Sequence, residues 1–163
     1  MRRAIAVVTT VAMTMALLLA LPAAAGTGRV APPVNDDVAN AIVVGSVPYN
    51  SLTDNDFAST EGTWEDASFA TIGSTVWWSY TPPVDVTVTV DLCSSSFDTM
   101  VGIWMAGSGT PTFAGFKDDD GCGSQSTLTF DAVGGSTYLI QVGGASGAEG
   151  TVDLALDAKA YCQ

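Results

Sequence analysis

The chain contains no histidine, and only five of its 163 residues are lysine or arginine. Without an imidazole there is no Ser-His or Cys-His nucleophile pair and no histidine-ligated metal site. Five basic residues against 17 acidic ones give a formal charge of −12. Phosphate binding needs clustered Lys and Arg, so this balance argues against nucleic acid as a partner. Past the first 25 residues no long stretch keeps a 3.6-residue apolar period, which argues against a helical protein. The length suits one domain and leaves no room for a catalytic domain beside an accessory one.

What is present begins with a leader. Arg2 and Arg3 precede an uncharged apolar run from Ala4 to Leu21, followed by Pro22, Ala23, Ala24, Ala25 and Gly26. This pattern predicts a secretory signal peptide over residues 1–25, cut at an A-x-A site. The paired arginines alone do not specify the twin-arginine route. Cleavage would leave Arg29, Lys117 and Lys159 as the basic residues against the same 17 acids, a net charge of −14. Residues 26–34, with Gly26, Gly28, Pro32 and Pro33, read as a flexible lead-in, and residues 35–163 as a single domain. The expected product is secreted and extracellular, with no stable membrane anchor.

The mature chain alternates apolar and polar residues between clusters of Gly, Pro, Ser and Asp. Val84, Val86, Val88, Val90 and Leu92 interleave with Asp85, Thr87, Thr89 and Asp91. Leu128 and Phe130 alternate with Thr127, Thr129 and Asp131, and Val152, Leu154 and Leu156 with Thr151, Asp153 and Asp157. Such alternation is the mark of half-buried antiparallel strands. Further strands are expected at Val76 to Tyr80, Thr99 to Met105, Thr112 to Phe116, Thr137 to Val142, Ala41 to Val44 and Tyr49 to Thr53. About eight or nine short strands fit an all-β, antiparallel two-sheet sandwich. Gly134-Gly135 and Gly143-Gly144 are expected to supply positive φ in tight connections, and Gly143 to Gly150 to form a loop.

Cys93 follows the valine-rich strand, and Cys122 sits in the turn-rich run Asp118-Asp119-Asp120-Gly121-Cys122-Gly123. Their pairing would staple two loops and, closing about 30 residues, stabilise an exported domain by roughly 3–4 kcal/mol. Spacing leaves Cys93–Cys162 and Cys122–Cys162 open. Cys162, beside the chain end, is taken as the odd cysteine: free, capped, or bonded to a second copy. Asp118, Asp119 and Asp120 repel one another unless solvated or joined by a cation, so they are either calcium ligands or a solvated turn. Asn35, Asp36 and Asp37 form a second acidic cluster, open to the same two readings.

Trp77 and Trp78 are adjacent in a strand and must point to opposite faces. One belongs to the core; the other is covered by a loop or sheet edge, or is a platform for a sugar ring, and the covered reading is favoured because exposed aromatic area is normally limited. Trp64, among Glu61, Glu65 and Asp66, is the better exposed candidate. Glu61, Glu65, Asp66 and Glu149 are the acids a carboxylate hydrolase would draw on, but no spacing singles out a pair, and no residue shows the apolar context that raises a catalytic pKa.

Taken in order, Asn35-Asp36-Asp37 with Ala39 and Ala41, Ser74 to Thr81, Asp91-Leu92-Cys93 with Ser96 to Thr99, Asp118 to Gly123, and Ser136 to Gly143 with Gly147 to Leu156 resemble the bacterial pre-peptidase C-terminal domain family. The resemblance spans about residues 35 to 158 and lies in the order of the motifs rather than in any one of them. It implies a jelly-roll-like β-sandwich without catalytic residues. Such domains are usually appended to secreted enzymes, where they bind matrix or polymeric substrate, aid secretion or stabilise the parent. It implies calcium at Asn35 and Asp36, although the acids that calcium-binding relatives place before the aromatic strand are Gly73, Ser74 and Thr75 here. It also favours the Cys93–Cys122 pairing. The function expected is a secreted, non-catalytic binding or accessory module for an extracellular protein or polysaccharide, with calcium as candidate cofactor. The alternatives are a self-associating surface protein, joined through Cys162, and a carboxylate-dependent hydrolase.

Overall fold

The computed structural model describes residues 31–60 and 71–161. The expected signal peptide, most of the lead-in, Trp64, Glu61, Glu65, Asp66 and Cys162 lie outside the described residues. Among the described residues no helix is long and apolar enough to cross a membrane.

A short 3-10 turn at Val38–Asn40 precedes nine strands: β1 (Ile42–Val44), β2 (Tyr49–Asp54), β3 (Ile72–Tyr80), β4 (Val86–Asp91), β5 (Thr99–Met105), β6 (Thr112–Asp118), β7 (Thr127–Ala132), β8 (Tyr138–Ala145) and β9 (Thr151–Ala160). They form a five-stranded sheet of order β1-β3-β8-β5-β6 and a four-stranded sheet of order β2-β9-β4-β7. From β2 onward the strands pair as nested antiparallel couples: β2 with β9, β3 with β8, β4 with β7 and β5 with β6. Alternate couples lie in alternate sheets, which is the winding of a jelly roll. One pairing departs from the expected antiparallel sandwich, since β1 runs parallel to β3. The chain crosses to the other sheet for β2 and returns, so β3 resumes the direction of β1.

Alternation dictates the inter-sheet core. Val86, Val88 and Val90 of β4, Leu128 of β7 and Val152, Leu154 and Leu156 of β9 face Val76, Trp78, Val101, Ile103, Ile140 and Val142 of the other sheet. Burial of this kind contributes about 25 cal/mol per Å² of apolar surface removed from water. Val84, expected as the first inward valine, instead lies outside β4 and is exposed. The two sheets differ on their outer faces. Strands β5 and β8 are buried along nearly their whole length. Ile72, Trp77, Met100, Trp104 and Leu139 form a second apolar cluster, with Val38, Ala41 and Phe116 packed against it. The four-stranded sheet keeps a wet outer face.

Two expectations about glycine are corrected. Gly143 and Gly144 lie within β8 rather than in a loop, and neither has a positive φ. They are there because backbones approach: a Cβ on Gly143 would stand 2.7 Å from both the Gly73 carbonyl oxygen and Ile72 Cγ1. In the Gly134-Gly135 pair only Gly135 adopts a positive φ.

Candidate functional site

The loops at one end of the sandwich are fixed by covalent and polar ties. Cys93, after β4, and Cys122, before β7, form a disulfide with Cα atoms 5.6 Å apart, resolving the pairing left open by spacing. A disulfide suits an oxidising compartment outside the cytoplasm. Asn55 is fully buried, donates to the carbonyls of Ser74 and Ala148, and accepts from the Gly150 amide, tying the loop after β2 to β3 and to the β8–β9 loop.

The sequence-selected acids do not gather into one centre. Asn35 is fully buried and donates through Nδ2 to the Trp77 carbonyl at 3.0 Å. The Asp36 carboxylate accepts from the amide and hydroxyl of Ser59, at 2.6 and 3.2 Å. Asp37 precedes the 3-10 turn and makes no side-chain cap. Asn35 and Asp36 thus hold the segment before the 3-10 turn against β3 and the loop at Ser59. The aspartate triplet is split. Lys117 pairs with Asp120 at 2.5 Å. Asp118 and Asp119 converge instead with Asp98, which sequence reasoning did not select; their carboxylate oxygens lie within 4.8 Å of one another. Burial, then the charges of Asp119 and Asp98, hold the Asp118 carboxyl above its ordinary range. Such an arrangement offers oxygen ligands of the kind a hard cation takes. A second group, Asp91 with Cys93 and Cys122, is closed to metal because the two sulfurs are bonded to each other.

Trp77 and Trp78 are both fully buried, Trp78 between the sheets and Trp77 in the outer apolar cluster. Neither offers a ring face to a ligand. Glu149 accepts a hydrogen bond from the Ser74 hydroxyl at 2.9 Å.

The outer face of the four-stranded sheet is a nearly uniform polar surface. Register places Asp91, Thr127, Ala155 and Asn50 in one row across it, and Thr89, Thr129 and Asp157 in the next. Thr87, Asp131 and Lys159 form a third row, and Leu52 and Asp153 pair towards the other end, followed by Asp54 and Thr151. The face therefore carries five carboxylates, five threonines and one basic residue. Cross-strand bonds order it: the Thr87 hydroxyl donates to Asp131 at 3.0 Å, Thr151 donates to Asp54 at 2.9 Å, and the Thr89 and Thr129 hydroxyls lie 3.1 Å apart. Leu52, 72% exposed, is its apolar exception. Alternation alone puts these residues outward but does not join them into a site. The signal was there, because the outward positions of three separate strands are almost all Thr or Asp.

No protein-family model matches the chain, and no curated protein matches it in sequence. Among solved structures, PliG from Aeromonas hydrophila, a periplasmic lysozyme inhibitor of g-type lysozyme, is similar at a TM-score of 0.46 and 18% identity, over 73% of this chain and 96% of that chain.

Proposed function

We propose that the protein is an exported, non-catalytic module that binds a basic extracellular protein through the acidic outer face of its four-stranded sheet. The observation that carries this reading is the charge of that face: Asp54, Asp91, Asp131, Asp153 and Asp157 against Lys159 alone. A single-sign surface raises the rate and selectivity of encounter with a partner of opposite charge. The jelly roll supports the resemblance to pre-peptidase C-terminal domains, and with it an accessory rather than catalytic role. The leader and the disulfide support export. A polysaccharide platform is the weaker alternative, since the described tryptophans are interior.

The test uses immobilised poly-L-lysine as the basic surface. Binding is expected to saturate, to weaken steeply between low and high salt, and to fall several-fold in Asp153→Asn/Asp157→Asn. The control is Asp37→Asn/Asp119→Asn, which removes the same charge from the segment before β1 and the loop after β6, away from the face. Equal losses in the two double variants would show a response to net charge only and would sink the assignment to this face.

A further inference from the structure

Where β4, β7 and β9 come together at one end of the four-stranded sheet, Val84, Asp85, Asp131, Val133, Ala160 and Tyr161 line a cleft of about 480 Å³. Several features set it apart from an ordinary solvated edge. Val84, Val133 and Tyr161 are 59%, 58% and 47% exposed, so large apolar groups stand in water at one place. Its charged lining is two carboxylates, with no basic residue between them. Both carboxylates are held in position. Asp85 Oδ1 accepts the Gly134 amide at 2.8 Å, and Asp131 Oδ1 accepts the Thr87 hydroxyl at 3.0 Å. The Tyr161 ring stands in the same cleft as both acids, and interaction with Asp131, then burial and the charges of Asp131 and Asp85, raises its pKa. Phenol and both acids thus share one mouth.

An apolar wall, an aromatic ring and two anchored carboxylates make a composite that one natural side chain fits closely. Arginine has an aliphatic stem to lie on valine, a flat guanidinium to stack on a phenol ring, and a fork of donors that two carboxylates can accept at once. Lysine supplies the stem and the charge, but neither the plane nor the fork. Charge complementarity selects a cation, and the ring beside paired acids selects the planar one. We propose that this cleft receives an arginine side chain of the partner protein, with its guanidinium between Asp85 and Asp131 and its plane against Tyr161. This assignment rests on the proposed binding of a basic protein and names the anchor point of that same surface, which Asp131 shares.

The experiment titrates the isotopically labelled intact protein with N-acetyl-arginine amide, N-acetyl-lysine amide and N-acetyl-norleucine amide while backbone amide shifts are followed. Arginine amide is expected to give saturable shifts at Val133, Gly134 and Tyr161, with an apparent Kd at least about threefold below that of lysine amide. Norleucine amide, which has the stem without the charge, should not saturate. Tyr161→Leu keeps an apolar wall and removes the ring, so it should bring arginine down to the lysine level. Asp131→Asn should weaken both cations, and Asp85→Asn carries the same test if the first variant disturbs β7. Equal binding of lysine and arginine, saturation by norleucine, or shifts centred on Asp153 and Asp157 would each overturn the proposal. Its failure is separable from that of the parent reading. Poly-L-lysine binding that depends on Asp153 and Asp157, without arginine selectivity in the cleft, leaves the acidic face standing alone. Arginine selectivity without face-dependent polycation binding leaves the cleft standing alone.

Discussion

Asn35 and Trp77 exchange two hydrogen bonds: the Trp77 amide donates to the Asn35 carbonyl at 2.9 Å, and Asn35 Nδ2 donates to the Trp77 carbonyl at 3.0 Å. The side chain thus completes what a neighbouring strand would supply at that position of β3. Asn35→Ala leaves the Trp77 carbonyl buried without its donor, a loss of about 1–3 kcal/mol. The substitution also removes Asn35 Oδ1, itself buried and without a partner among the described residues. The net effect is expected near the lower end, about 1 kcal/mol. Chemical denaturation should show a lower midpoint with an unchanged slope. An unaltered midpoint would mean that Asn35 is not docked on β3 in solution.

The disulfide gives a second expectation. Closing 29 residues, it should stabilise the fold by about 3–4 kcal/mol through restriction of the unfolded chain. Cys93→Ala/Cys122→Ala should therefore lower the thermal midpoint by roughly 10 °C. Both cysteines have polar neighbours, Thr127 Oγ1 and the Gln125 carbonyl, each at 3.4 Å from a sulfur, so the loops should keep part of their order in the variant. A scan of the two proteins side by side checks the difference, and a gap under a few degrees would show that the bond constrains little.

How much of this was legible in advance follows from period and burial. β4, β7 and β9 alternate, and their inward and outward residues were readable one by one. β5 and β8 do not alternate. Their runs Thr-Met-Val-Gly-Ile-Trp-Met and Tyr-Leu-Ile-Gln-Val-Gly-Gly-Ala are buried on both faces, as continuous apolar strands are. That signal was present but does not say what lies on the second face. Trp104 illustrates the limit: its indole donates to Gln141 Oε1 at 2.8 Å from a neighbouring strand, a pairing fixed by sheet register. Register also explains the site. Asp98 lies 20 residues from Asp118, and their approach depends on β5 and β6 pairing with Met100 opposite Asp118. The wet face was readable as outward residues, but its coherence as one acidic surface required the strand order β2-β9-β4-β7.

Asp118 carries a pH-dependent expectation. Its folded pKa is raised by burial and by Asp119 and Asp98, so the native state holds the proton more tightly than the unfolded chain. Stability from this group is then greatest below the ordinary carboxylate pKa and falls as pH rises from there through the folded pKa. Asp118→Asn removes the penalty. The group is largely exposed and solvent screens it, so the gain at neutral pH should lie within about 0.5 kcal/mol, and it should vanish in acid. Thermal scans in chelator at neutral and acid pH read this directly. Excess calcium offers the opposing arm: if the three carboxylates hold the ion, wild type gains a saturating rise in midpoint that Asp118→Asn loses. No rise in wild type would return Asp98, Asp118 and Asp119 to the role of a solvated turn.

The charge imbalance makes a last prediction about the whole fold. Seventeen acids face five basic residues, and the ion pair found among the described residues is Lys117–Asp120 at the surface. Folding brings Asp54, Asp91, Asp131, Asp153 and Asp157 together on one sheet, where like charges repel. Salt shortens the screening length from about 30 Å at 0.01 M to about 3 Å at 1 M. Screening acts more on the compact state, whose charges are closer together, so the thermal midpoint should rise with sodium chloride across that range. Asp153→Asn/Asp157→Asn should raise the midpoint at low salt and flatten its salt dependence. A midpoint that falls with salt in wild type would mean that attraction between opposite charges outweighs repulsion, and the acidic face would then be neutralised by groups outside the described residues.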